Sequence, residues 1–157
     1  MKVHLLAIPI LIFMLISCNE SEEIDPNLRI AGKYQYTVEG NMTFSDERFN
    51  FVNTFEFQPD GTFISEDYTT AAGSDVILGL RGLYSGIYVI VNGELTLFYS
   101  YQLVINVEDL NYVSREKLGF RGGQSKDEYA IEDDFKSFNY ICSERVNCVG
   151  LPYKRVE

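Results

Sequence analysis

Phe55-Glu56-Phe57-Gln58-Pro59-Asp60-Gly61-Thr62-Phe63 decides how this chain folds. Phe49, Phe51, Phe55 and Phe57 alternate with Asn50, Thr54 and Glu56, which gives one aromatic face and one mostly polar face, the period of a half-buried strand. Pro59 presets φ and Gly61 tolerates positive φ, so Phe55–Gln58 is expected to fold back on Thr62–Tyr68 as a hairpin. A second hairpin follows, in which Leu83–Val91 and Glu94–Tyr101 flank Asn92-Gly93, a pair suited to a type I′ turn.

The same period predicts strands at Lys33–Glu39, Gln102–Val107, Tyr112–Arg115, Glu128–Ile131, Phe135–Cys142 and Tyr153–Val156. Neither end of Thr69–Gly82 alternates, and its middle, Val76–Leu80, reads as a short helix or an apolar loop. Gly119–Lys126, with Gly122-Gly123, reads as a mobile loop. Eight or more short antiparallel strands suit a barrel or a sandwich, and closure removes the exposed edges. The expected fold is therefore all-β, an antiparallel up-and-down β-barrel of about eight strands. Residues 30–157 show no compositional break and are long enough for one core, so they are read as one domain.

Upstream, Met1-Lys2-Val3-His4 is a short positive region and Leu5–Ile16 runs without a charge, the pattern of a signal peptide over residues 1–17. Leu15-Ile16-Ser17-Cys18 closes it and resembles the lipobox of bacterial lipoproteins. The resemblance implies cleavage after Ser17 and acylation of Cys18. Two or more chains make such an anchor stable, because each buried methylene contributes roughly 0.8 kcal/mol. Residues 18–29 then form an acidic tether. Acids placed just after the lipid-bearing Cys resemble a surface-export signal of some Gram-negative outer-membrane lipoproteins. The implied address is the outer membrane of a bacterial envelope, with surface exposure as one option.

Removal of residues 1–17 takes away Lys2 and no acid, so 13 basic and 23 acidic residues become 12 and 23, a net charge near −11. That excess argues against nucleic-acid binding and against a basic grip on anionic lipid, leaving the acyl chains on Cys18 as the membrane contact. Cys142 and Cys148, five residues apart in an exported chain, are expected to form a disulfide. The only His is His4, so a catalytic thiol or triad lacks its usual base, and a zinc pair lacks two ligands.

Gly32-Lys33-Tyr34, the hairpin at Phe55–Phe63, Gly86-Ile87-Tyr88 and Asn92-Gly93-Glu94-Leu95-Thr96-Leu97 succeed one another in an order that resembles the lipocalin-like domains of small bacterial lipoproteins. The resemblance covers roughly residues 30–101 and implies an eight-stranded barrel with a central cavity. Typical lipocalins open with Gly-x-Trp and set a late Arg across that ring at the closed end. The matching residues here are Gly32, Tyr34 and Arg155, with Tyr in place of Trp.

Strand parity nominates Phe55, Phe57, Tyr88, Leu97 and Tyr99 as a pocket lining for a small apolar or amphipathic ligand, against the alternative that they are core. Tyr84 and Tyr88 are expected on one strand face, as are Tyr99 and Tyr101 on the next. The acidic pairs Glu66-Asp67, Glu108-Asp109 and Asp127-Glu128 read as solvated turns, and no calcium-loop spacing appears. No catalytic residue, metal or cofactor is expected. The leading reading is a ligand-binding lipoprotein; the second is an accessory protein with a filled barrel that meets another envelope protein through loops such as Thr69–Gly82.

Overall fold

The computed structural model describes residues 24–41, 46–106, 111–142 and 150–156. Cys18, Cys148 and the expected signal peptide lie outside the described residues. After a short helix α1 (Pro26–Ile30) come β1 (Gly32–Asn41), β2 (Arg48–Phe57), β3 (Thr62–Ala71), β4 (Ile77–Val91), β5 (Glu94–Val104), β6 (Gly119–Phe120), β7 (Ser125–Glu132), β8 (Ser137–Tyr140) and β9 (Tyr153–Arg155). Each pairs antiparallel with its neighbours in the order β1-β2-β3-β4-β5-β7-β8-β9, and β9 returns to β1 through Tyr34↔Arg155. The barrel is thus closed by eight strands in up-and-down order, with β6 added beside the upper end of β5.

Turn chemistry sets this register. Gly61 takes φ +85° behind Pro59-Asp60, and Asp60 Oδ1 accepts from the Thr62 amide at 3.0 Å, so Phe57 pairs with Phe63 across the turn. Asn92 and Gly93 both have positive φ, 53° and 81°, as a type I′ turn requires, and Val91 pairs with Glu94.

Elsewhere the strands outrun their sequence signal. Thr69–Gly82 is neither helix nor apolar loop: β3 runs on to Ala71 and β4 begins at Ile77. Glu94–Tyr101 and Gln102–Val107 are not two strands, because β5 continues unbroken to Val104. Tyr112–Arg115 is reduced to a single bridge, Val113 with Leu80, followed by a 3-10 turn at Arg115–Lys117. The expected loop Gly119–Lys126 supplies β6 and the first residues of β7. Backbone groups in a barrel wall need partners, and tertiary pairing satisfies them even where side chains do not alternate.

One end of the barrel holds the turns after β2, β4 and β7 and is packed solid. Helix α1 lies here, capped by the Asp25 side chain on the Asn27 amide at 2.9 Å, and drives Ile30 into the core at 1 % exposure. The tether assigned to residues 18–29 therefore gives way to packed structure at Pro26. Ile30, Tyr34, Phe57, Phe63, Leu95, Leu97 and Phe138 are all fully buried. The aromatic rings among them lie 5.2–6.3 Å apart between centroids, edge to face or tilted, and Phe57 also meets Tyr88 edge-on at 5.1 Å.

Candidate functional site

Above this plug the interior changes character. A cavity of about 350 Å³ occupies the upper half of the barrel, floored by Phe55 and walled by Tyr36, Tyr84, Tyr99, Tyr129 and Tyr153. Asn53, Ser65, Gln102 and Ser125 add amides and hydroxyls, and Asp67 and Asp127 add carboxylates. Exposed Arg121 marks the rim beside Ser125, where β5 leaves β7 for β6. None of residues 69–82 lines it.

Strand parity explains which polar residues enter. In β3, Phe63, Ser65, Asp67 and Thr69 point inward while Ile64 and Glu66 face out, so Asp67 does not belong to a solvated turn. In β7, Asp127 and Tyr129 turn inward while Glu128 faces solvent and pairs with Lys126 at 2.8 Å. Both carboxylates are thus placed by the same alternation that buries the phenylalanines.

Bulges then adjust the aim of neighbours. Asp67 pairs with Gly82 and Tyr68 with Leu80, leaving Arg81 as the extra residue of a bulge. Its Nη2 donates to the Val52 carbonyl and to Asn53 Oδ1, each at 2.9 Å, and its guanidinium sits 5.4 Å from the Phe51 ring. In β5, Ser100 is skipped between the pairs Gly86↔Tyr99 and Ser85↔Tyr101. That extra residue reverses parity: Tyr99 enters the cavity and Tyr101 is 46 % exposed, so these two do not share a face. Gly86 permits the bulge, because a Cβ there would lie 1.9 Å from the Phe98 carbonyl oxygen.

Gly82 has a different task. A Cβ at Gly82 would stand 2.3 Å from the Tyr84 hydroxyl, so only glycine lets the Tyr84 ring lie back along its own strand. The phenol thereby reaches Asp67, the cross-strand partner of Gly82, and donates to it. Burial pushes the Asp67 carboxyl up to about 6 despite the Arg81 charge and the Tyr84 hydrogen bond, and pushes the Tyr84 phenol up to about 12. Tyr99 donates to Asp127 Oδ2 at 2.8 Å. Burial also raises the phenols of Tyr99, Tyr129 and Tyr153, which all stay neutral donors at physiological pH.

The sequence-nominated residues divide between plug and cavity. Phe55 and Tyr99 touch the cavity, whereas Phe57, Tyr88 and Leu97 lie in the plug beneath it, with Tyr88 donating to the Gln58 carbonyl at 2.7 Å. Tyr34 and Arg155 meet on paired strands at the closed end. Arg155 Nε and Nη2 donate to the Tyr34 hydroxyl at 3.1 and 2.8 Å, and the guanidinium carbon lies 5.1 Å from the ring centroid. Tyr34 in turn donates to the Phe135 carbonyl at 2.7 Å, in a turn where Asp133, Asp134 and Phe135 all have positive φ. Cys142 follows β8, and its expected partner Cys148 is not among the described residues.

Asp67, Tyr84, Asp127, Tyr36 and Tyr153 were not singled out from sequence as site residues. Their signal was present, since Asp67 shares parity with Phe63 and Asp127 with Tyr129, but it required the strand bounds. The outer wall carries a separate apolar strip, in which Ile64, Ile87, Phe98 and Phe120 are 41–64 % exposed. Among the described residues no group of three or more His, Cys, Asp or Glu side chains is placed to hold a metal ion. No helix among them is long and apolar enough to cross a membrane. No protein family, curated protein or solved structure matches this chain.

Proposed function

We propose that this protein is a lipid-anchored envelope lipoprotein whose lipocalin-like barrel holds a small amphipathic ligand without cofactor or catalysis. The observation that carries this reading is the cavity of about 350 Å³ above a sealed aromatic floor, within the size range of small-molecule sites, roughly 300–1,000 Å³. A barrel needed only as a scaffold would gain stability by filling that space, since an apolar core is favoured over partly desolvated carboxylates. The lining shifts the expected ligand from apolar toward polar: aromatic rings would cover its body while Asp67, Asp127, Gln102 and Asn53 meet its polar atoms. The anchor on Cys18 and the Cys142–Cys148 disulfide belong to the same reading, as does an outer-membrane address.

Native mass spectrometry of the chain purified gently from its own membranes tests this. A reproducible extra mass that leaves on denaturation is expected. A bare chain would overturn the ligand reading and favour the second, an accessory protein that meets another envelope protein. That second reading draws on the exposed strip around Ile87, Phe98 and Phe120, and crosslinking in whole cells checks it.

A further inference from the structure

The two cavity carboxylates share one feature. Among the described residues neither Asp67 nor Asp127 has a cation within ion-pair distance, although both line the same half-open cavity. Asp67 is supplied by the Tyr84 phenol and Asp127 by the Tyr99 phenol, which are neutral donors. Arg81 does not line the cavity, and its Nη2 is already engaged by the Val52 carbonyl and Asn53. Among the described residues Arg121 is the one cation in the lining, and it stands exposed at the rim where water screens it.

We propose, resting on the ligand-holding reading above, that the cavity selects a small organic amine in its ammonium form. Asp67 and Asp127 would accept its N–H groups in charge-assisted hydrogen bonds, which are stronger than neutral ones. The phenol rings around them present faces of negative potential, which attract a cation and disfavour an anion. Tyr36 meets Tyr153 edge-on at 4.6 Å and Tyr84 meets Tyr99 edge-on at 5.9 Å, while Tyr153 gives one face to Phe138 in a stack at 4.8 Å. A carboxylate ligand would meet two like charges inside. A neutral ligand would leave both half-buried carboxylates with no cation in ion-pair contact, a state that a bound ammonium relieves.

Titration calorimetry on the full chain in detergent, with tryptamine, tryptophol and indole-3-propionate as isosteric probes, separates these outcomes. Tryptamine is expected to bind at least about tenfold more tightly than tryptophol, with indole-3-propionate weaker than both. Asp67→Asn and Asp127→Asn should each weaken tryptamine about tenfold and so erase its preference over tryptophol, with circular dichroism confirming that both variants fold. Equal binding of tryptophol and tryptamine, or variants that bind tryptamine like wild type, would overturn the amine assignment while the ligand-holding barrel stands. If none of the probes binds, the native mass decides. A retained molecule with a basic nitrogen supports the assignment and one without overturns it, whereas a chain with no extra mass removes both readings together.

Discussion

Asp67 offers the sharpest test of how the cavity is built, because its charge is held in the fold against burial. Its carboxyl moves from 3.8 to about 6, with desolvation as the largest cause. Between those values the folded state binds more protons than the unfolded state. The stability that protonated Asp67 contributes is therefore complete below 3.8 and lost as pH rises through 6. One pKa unit is worth about 1.4 kcal/mol, so ionised Asp67 costs the fold on the order of 3 kcal/mol at pH 7.5 and about 1 kcal/mol at pH 4.5. Asp67→Asn keeps an acceptor for the Tyr84 hydroxyl and removes the charge. The variant is expected to gain on wild type by about 2 kcal/mol more at pH 7.5 than at pH 4.5, a widening of about 6–10 °C in Tm for a domain of this size. Urea unfolding at both pH values, followed by tyrosine fluorescence in a chain without Trp and by circular dichroism, reads that difference. A gap between variant and wild type that stays constant within about 0.5 kcal/mol would refute the reasoning, since titration of every other carboxylate cancels in the comparison.

Phe57→Ala should cost about 3–5 kcal/mol, because the ring is 1 % exposed and touches Tyr34, Phe55, Tyr88 and Phe138; the urea midpoint measures it. Arg155→Ala should cost about 1–3 kcal/mol by removing the guanidinium from the Tyr34 hydroxyl and ring and from the Arg29 carbonyl, with a similar loss in Tyr34→Ala plus Arg155→Ala beyond the ring's own burial if the pair is coupled, as a double-mutant cycle determines. Cys18→Ser should move the protein from the membrane fraction to the soluble fraction on cell fractionation. Without reductant, iodoacetamide should modify neither Cys142 nor Cys148, and the peptide spanning them should be two hydrogens light.

Turn chemistry and period two made the two hairpins legible. Pro59-Asp60-Gly61 and Asn92-Gly93 demand particular backbone angles, and the alternating Phe run of β2 has one face that must leave water. From those elements the antiparallel order and the case for closure followed, because short strands with tight turns have few ways to hide their edges, whereas two of the expected strands merged into β5 and another shrank to one bridge. The pairing of Tyr34 with Arg155 was implied by the lipocalin resemblance alone, and the structure sets the two on paired strands where the meander closes. The cavity was not. Its contents depend on where parity is interrupted, and the extra residues Arg81 and Ser100 are set by pairing with strands distant in sequence, not by the local pattern. The sequence by itself therefore determined an up-and-down β-barrel with an aromatic interior; only the tertiary structure decided that the aromatics divide into a solid plug and a polar chamber. Local periodicity fixes which side chains share a face, while cross-strand register and bulges fix which faces meet.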